Sequence, residues 1–172
     1  NNNLKQIPDA KIAIIDGEAI NAGTIRKTVE GVEIKTLWGE IAYQVGGIDA
    51  YKIIEKDDKN KISPGSDKIA ELIKDFGPIV VLLDETLKYL TKSSGVSVGE
   101  SSLSAQTISF MQEMTEAFAS SEKSILFASL ASSTSDFSDE NEERMFQRLS
   151  KVFGRVETIR EPVKGEEIYE VI

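Results

Sequence analysis

Apolar residues along the chain fall into short runs separated by longer amphipathic segments. Lys11–Asp16, Ile79–Asp84 and Ser124–Leu130 are compact apolar runs, and each predicts a buried strand. Arg155–Arg160 predicts a weaker fourth strand. Because strands and helices alternate, we expect one α/β domain over residues 1–172. Its mostly parallel sheet should carry helices on both faces, as three αβα layers.

Stripes of apolar residues at helical spacing predict the helices. Two glycines, Gly46 and Gly47, separate the first two helices, and Gly77 with Pro78 ends the third. Glycine and serine without a period predict loops over residues 17–35 and 91–104, the second of them mobile. The predicted helices are Thr36–Val45, Asp49–Asp57, one capped by Ser66, a helix or turn over Thr86–Leu90, Ala105–Ser120, one capped by Asp139 and ended by Gly154, and one beginning at Glu166.

Composition narrows the chemistry that the chain can perform. The sequence contains no histidine and no cysteine, which excludes His-based triads, thiolate metal sites and disulfides. The net charge of −9 argues against a protein whose whole surface binds nucleic acid. No apolar run is long enough to cross a bilayer and no signal peptide opens the chain, so we expect a cytoplasmic location. A start at Asn1 without methionine suggests an excised piece.

Two acids at the end of the second predicted strand are the strongest catalytic candidates. Asp84 and Glu85 follow the apolar run Ile79–Leu83 directly, and ligands of open α/β sheets bind at the carboxyl ends of strands. This is the pattern of a Walker B motif, in which the first acid holds Mg²⁺ and the second orients a water. The alternative is that Asp84 caps a helix starting at Thr86, with Glu85 in its first turn.

The phosphate-binding counterpart of that motif is absent from the sequence. No segment matches G-x-x-x-x-G-K-[ST]. The nearest approach is Gly31–Thr36, where Ile34 occupies the position that needs glycine and Glu33 would repel phosphate. We therefore interpret Lys35 and Thr36 as a loop entering a helix.

Hydroxyls and one arginine complete the set of candidates. Ser129, or one of the hydroxyls after it, lies where a side chain could reach a γ-phosphate, although turns and caps use the same residue types. Arg155, at a helix-to-strand junction, is either an arginine finger for a neighbouring subunit or a cap for the helix carbonyls. Trp38 is expected in the core. The hydroxyls after Ser129 are Ser132, Ser133 and Thr134.

Several segments together resemble one family, the large prokaryotic predicted AAA+ ATPases that are catalogued as a domain of unknown function. Residues 36–47 read T-L-W-G-E-I-A-Y-Q-V-G-G and are the most specific part of the resemblance. D-G-E-A at 16–19, L-L-D-E at 82–85 and V-F-G-R-V-E at 152–157 also match. The resemblance covers most of residues 10–172.

The resemblance implies an AAA+ core of the P-loop NTPase type, with strand order 5-1-4-3-2. The four predicted strands become strands 2 to 5, and strand 1 with its phosphate loop lies upstream of residue 1. Asp84 would hold Mg²⁺, directly or through water, Glu85 would polarise the attacking water, and Ser129 would be a sensor. Arg155 would act as the finger in trans. ATP and Mg²⁺ would be cofactors of the parent protein, and the isolated chain should bind ATP poorly and lack activity.

The resemblance also implies a biological setting. AAA+ proteins form homo-oligomeric rings, and some family members act in phage defence with DNA-modifying or DNA-processing partners. Because strand 1 is central in the sheet, its loss leaves unpaired edges. We therefore expect either strand 5 beside strand 4 or an edge-paired dimer.

Three functional readings follow from the sequence. The first is ATP hydrolysis coupled to remodelling, with the chain as a partial AAA+ core. The second is a non-catalytic protein-interaction module whose acids only cap a helix. The third is a nucleic-acid binder.

Overall fold

Twelve helices and strands are present in the computed structural model, which describes residues 9–130 and 140–154. The predicted strand at 155–160, the helix from Glu166 and the cap at Asp139 lie outside these residues. In chain order the elements are β1 (Lys11–Asp16), β2 (Arg26–Lys27), β3 (Glu33–Ile34), α1 (Leu37–Asn60), α2 (Ser66–Phe76), β4 (Ile79–Asp84), α3 (Thr86–Ser93), β5 (Ser97–Val98), β6 (Ser101–Ser102), α4 (Leu103–Ala119), β7 (Ile125–Ala128) and α5 (Glu140–Phe153).

The main sheet has three parallel strands in the order β1-β4-β7. Val81 at its centre pairs with Ala13 on one side and Leu126 on the other. The register places Asp16 beside Asp84, so the two outermost residues of β1 and β4 lie at the same level. The predicted α/β class and its parallel sheet are therefore confirmed.

Helices cover one face of this sheet and leave the other bare, so the expected three layers are wrong for the described part of the chain. Ala13, Ile15 and Val81 point into the helical core, with at most 2% of their surface exposed. Both steps across the sheet, from β1 to β4 and from β4 to β7, run in the same direction. Right-handed crossovers then place every connecting helix on the same side. On the opposite face, four apolar side chains are 50–60% exposed: Ile12, Ile14, Ile125 and Phe127.

Helix α1 is interrupted at Gly46 and Gly47, as the sequence predicts, and it reverses direction there, which the sequence does not predict. Gly47 has φ of +61° and ψ of −143°, a conformation open only to glycine. A straight helix of 24 residues would be about 36 Å long. Instead, the Asp58 carboxylate near its end lies 2.5 Å from the Thr36 hydroxyl that caps its start. The two halves of α1 therefore fold back on each other.

A buried carboxylate joins those two halves. Asp58 is fully buried and accepts hydrogen bonds from the Thr36 hydroxyl, the Tyr51 hydroxyl at 2.8 Å and the Lys35 amide at 3.2 Å. Burial, and then the bond to Asp58, raises the pKa of Tyr51, so its hydroxyl remains a donor. A side chain on Gly39 would meet the Asp58 carboxylate at 2.2 Å, which explains the glycine at that position.

Three local predictions need correction. Residues 17–35 contain the antiparallel hairpin β2–β3, and the loop expected over 91–104 contains the hairpin β5–β6 between α3 and α4. Short pairings of two residues per strand carry no sequence period, so the pattern did not show them. Gly65, not Ser66, occupies the cap of α2, because its φ of +86° suits glycine. Trp38 is confirmed in the core, 5.4 Å from the Phe110 ring.

The outer edge of β1 is closed by a side chain. The Gln44 carboxamide accepts from the Ile14 N–H at 2.8 Å and donates to the Ile14 carbonyl at 3.1 Å. It also donates to Glu40 at 2.8 Å, one turn back on α1, which holds the amide in place. A carboxamide offers the same donor and acceptor as a peptide group, so Gln44 takes the position of a neighbouring strand.

We expect Gln44→Ala to open this edge. The Ile14 amide loses its acceptor, and its hydrogen exchange should quicken about tenfold, as the loss of one hydrogen bond implies. Mass spectrometry or NMR of amide exchange measures this, with Gln112→Ala as the control, because the Gln112 side chain bonds the exposed Glu116 on its own helix, α4. Equal Ile14 exchange in both variants would contradict the account.

Candidate functional site

The carboxyl ends of the three parallel strands bring the predicted site residues together. Asp84 is the last residue of β4, and Ser129 follows β7 directly. The Ser129 amide donates to the Leu83 carbonyl at 2.8 Å, which continues the β4–β7 ladder by one residue. Asp16 ends β1 at the same level. The three residues therefore share one solvent-exposed edge of the sheet.

Asp84 and Ser129, both predicted from sequence, are in direct contact. The Ser129 hydroxyl donates to the Asp84 carboxylate oxygen Oδ1 at 2.5 Å. The same oxygen accepts from the Glu85 amide at 3.0 Å, and the Ser129 oxygen lies 3.4 Å from that amide. One oxygen of Asp84 is thus oriented, and its other oxygen makes no hydrogen bond to the described residues. That arrangement leaves a carboxylate oxygen for a ligand.

Glu85 connects the strand to α3 through a backbone conformation that is rare for its residue type. It stands at the cap position of α3 with φ of +50° and ψ of 36°, in the left-handed region. Its side chain makes no capping hydrogen bond. The only α3-side amide that the Asp84 carboxylate bonds in the described residues is that of Glu85, so neither acid caps α3 by the usual side-chain bond to the second or third helical amide. The carboxylate of Glu85 is left available for other contacts.

Gly17 holds the Glu85 peptide from the β1 side. Its amide donates to the Asp84 carbonyl at 2.9 Å, which extends the β1–β4 ladder past the strand ends. A side chain on Gly17 would lie 2.2 Å from the Glu85 carbonyl oxygen and 2.8 Å from its carbonyl carbon. The glycine of the D-G-E-A segment is therefore required by the path of the chain through Glu85.

Asp16 is a residue of this edge that the sequence argument missed. Its Oδ1 accepts from the Glu18 amide at 2.8 Å and from the Ala19 amide at 3.2 Å, which forms a tight turn. The sequence does contain a signal for Asp16, because this acid ends the first predicted strand as Asp84 ends the second. The sequence pattern by itself predicts only the end of a strand at Asp16.

Two lysines of α3 add positive charge beside this edge. The Lys88 ammonium lies 3.2 Å from the Glu18 carboxylate and 3.7 Å from the Glu85 carboxylate. The Lys92 ammonium donates to the backbone carbonyl of Glu18. The hydrogen bond to Glu18 raises the pKa of Lys88, which keeps its side chain cationic. The acids of the edge are thus partly compensated within the fold.

The remaining sequence candidates lie elsewhere. Lys35 and Thr36 belong to the Asp58 network and the cap of α1, so the interpretation as a loop entering a helix is confirmed. Arg155 and the later hydroxyls Ser132, Ser133 and Thr134 lie outside the described residues. Within residues 9–130 and 140–154, no three acidic side chains are grouped to hold a metal ion by themselves. No helix in these segments is long and apolar enough to cross a membrane.

Comparison with protein-family models assigns the chain to a family. The model of the DUF499 N-terminal domain matches residues 1–167. The chain belongs to the DUF499 family. This is a family whose function is unknown, so membership names the domain without naming an activity. No curated protein and no solved structure matches the chain.

In this DUF499 domain, we expect Gly17→Ala to destabilise the fold. The added methyl group overlaps the Glu85 carbonyl, and overpacking against backbone should cost about 2 kcal/mol. Urea unfolding measures the difference. Gly95→Ala is the matched control, because a side chain at Gly95 meets no atom within 4 Å. A Gly17→Ala protein as stable as the Gly95→Ala protein would contradict the assigned contact.

Proposed function

We propose that this DUF499 domain contributes the Walker B part of an Mg²⁺-dependent ATP-hydrolysing core. The observation that carries the proposal is the meeting of Asp84, Glu85 and Ser129 at one exposed edge of a parallel sheet. An acid that binds metal, an acid that polarises water and a hydroxyl near the γ-phosphate are among the groups that phosphoryl transfer uses, beside a phosphate-binding loop. The resemblance to AAA+ sequences assigns the same roles to the same three residues.

The strand order supports placing the domain in the P-loop NTPase class. β1, β4 and β7 are neighbours in the order expected for strands 2, 3 and 4 of the sequence 5-1-4-3-2. In that scheme a strand with the phosphate loop joins the outer edge of β7. The Ser129 amide faces β4, so the alternating peptide groups of Leu126 and Ala128 face outward. A cavity of about 250 Å³, lined partly by Phe118 and Phe153, runs beside them.

The donor set at this edge fits a magnesium ion that is shared with a nucleotide. Mg²⁺ in such sites usually takes one or two carboxylates and fills its other positions with phosphate oxygens and water. Asp84 has one carboxylate oxygen without a hydrogen bond to the described residues and a neighbouring hydroxyl on the other, so it would hold the ion directly or through water. When bound, the ion would neutralise charge on the phosphates. Glu85 would orient the water that attacks, and Ser129 would hold the carboxylate of Asp84 in position.

The proposal also includes an oligomeric state and a process coupled to ATP hydrolysis. An AAA+ core of this kind acts as a homo-oligomer, and the family resemblance assigns Arg155 the role of a finger for a neighbouring subunit. The reaction would be coupled to remodelling of DNA-processing complexes. Sequence resemblance is the support for these statements.

A second function, a non-catalytic protein-interaction module, is favoured by one observation. The bare face of the sheet presents Ile12, Ile14, Ile125 and Phe127 to solvent. Contiguous exposed apolar residues are typical of surfaces that contact another protein or another part of the same protein. In that case the acids at the strand ends would have no effect on nucleotide turnover.

The test is ATP turnover by the full-length protein with Glu85→Gln. Removing the group that polarises water should lower kcat by about 100-fold or more while ATP binding is kept. Glu122→Gln is the control, because Glu122 is an exposed acid in the turn before β7. Equal turnover by the two variants, or no turnover by the unmodified protein, would overturn the enzymatic proposal and favour the interaction module.

A further inference from the structure

The turn formed by residues 16–19 is attached to α3 by both of the lysines described above. Lys92 reaches its backbone, with its ammonium 3.4 Å from the Gly17 carbonyl and also in contact with the Glu18 carbonyl. Lys88, one helical turn earlier, reaches the Glu18 side chain at 3.2 Å. These contacts link β1 to α3 across more than 65 residues of sequence.

The Glu18 end of this link is held independently of Lys88. The Glu18 amide donates to Asp16, and its carbonyl accepts from Lys92, so the backbone is restrained on both sides. The Glu18 carboxylate therefore gives the Lys88 ammonium a defined anchor. An ammonium with such an anchor has less freedom than one at the end of an unpaired lysine side chain.

The Glu85 end of the link is different, because its backbone is restrained while its side chain forms an ion pair only with Lys88 among the described residues. Contact with Gly17 restrains the Glu85 backbone, and the side chain makes no capping bond. Its carboxylate lies 3.7 Å from the Lys88 ammonium, on the side of β4 that faces the β1 turn. Lys88 is the one cation within ion-pair distance of Glu85 in the described residues.

We propose that Lys88 is a positioning residue for Glu85, anchored by Glu18 of the D-G-E-A turn. This inference rests on the proposed function, since it assigns Lys88 the task of orienting the acid that polarises water. The ammonium selects one direction for the Glu85 carboxylate, and the turn determines where the ammonium lies. Two residues of the turn then act on Glu85. Gly17 acts on its backbone, and Glu18 acts on its side chain through Lys88.

An ordinary surface ion pair is the competing explanation. Lys88, Glu18 and Glu85 are 44–64% exposed at their side chains, and such pairs contribute little to stability. Both explanations predict that removing the charge of Lys88 leaves the fold intact. They differ in what they predict for the orientation of Glu85 and for the rate of the chemical step.

The first measurement reads the side-chain orientation of Glu85 in this chain without nucleotide. Three-bond NMR couplings should report one χ1 rotamer of Glu85 in the unmodified protein and in Lys88→Arg. Lys88→Gln should give averaged couplings, and Glu18→Gln should give intermediate ones because the anchor is lost. Lys59→Gln is the matched control, since Lys59 pairs with Glu55 at 2.6 Å on the surface of α1. Unchanged couplings in Lys88→Gln would overturn the inference.

The second measurement separates kcat from KM in the full-length protein. We expect Lys88→Gln to lower kcat about tenfold, as a misplaced catalytic group does, with little change in the KM for ATP. Lys88→Arg should restore most of the rate, because the charge is kept. Normal kcat in Lys88→Gln, with Glu85→Gln inactive, would overturn the role of Lys88 and leave the proposed function standing. Normal kcat in Glu85→Gln would overturn the proposed function itself.

Discussion

The contact between Gly17 and the peptide of Glu85 is the constraint on which the whole edge of the sheet depends. Parallel pairing carries the Gly17 amide to the Asp84 carbonyl, and the missing side chain lets the turn lie directly against the next peptide. Glu85 is thereby held in a left-handed conformation, which costs about 1–2 kcal/mol for a residue other than glycine. Strained backbone of this kind clusters at functional sites, although Lys61 takes the same conformation only to end α1. The position of α3 and its lysines follows from that conformation.

The most specific part of the family resemblance, residues 36–47, builds the scaffold and not the site. Seven of its twelve residues have an identifiable structural task on or near α1. Together they place the helix against β1, close the edge of that strand and reverse the chain, so that the D-G-E-A turn has a rigid support. The residues and their partners are Thr36 as cap, Trp38 in the core, Gly39 against Asp58, Glu40 with Arg26, Gln44 on Ile14, and Gly46 with Gly47 at the reversal.

Sequence patterns predicted the elements that depend on burial and missed those that depend on local geometry. The three strands and the helix break at Gly46 and Gly47 follow from apolar runs and from glycine chemistry, so they could be predicted. The approach of Ser129 to Asp84 could be expected once both were placed at strand ends. The bare sheet face could not be read from residue types, because Ile12 and Phe127 look like core residues. The hydrogen bonds from the Asp16 carboxylate to the turn after it were not predicted, since nothing in the pattern shows which acid bonds its own backbone.

The proposed function places Asp84 beside the metal ion of a bound nucleotide. A crystal structure of the full-length protein with Mg²⁺ and a non-hydrolysable ATP analogue tests this most directly. We predict that the ion lies within about 4 Å of the Asp84 carboxylate, either bound directly or through one water, with the γ-phosphate at the edge shared by β4 and β7. A nucleotide ordered at any other place on the protein, with Asp84 distant from its metal, would contradict the account.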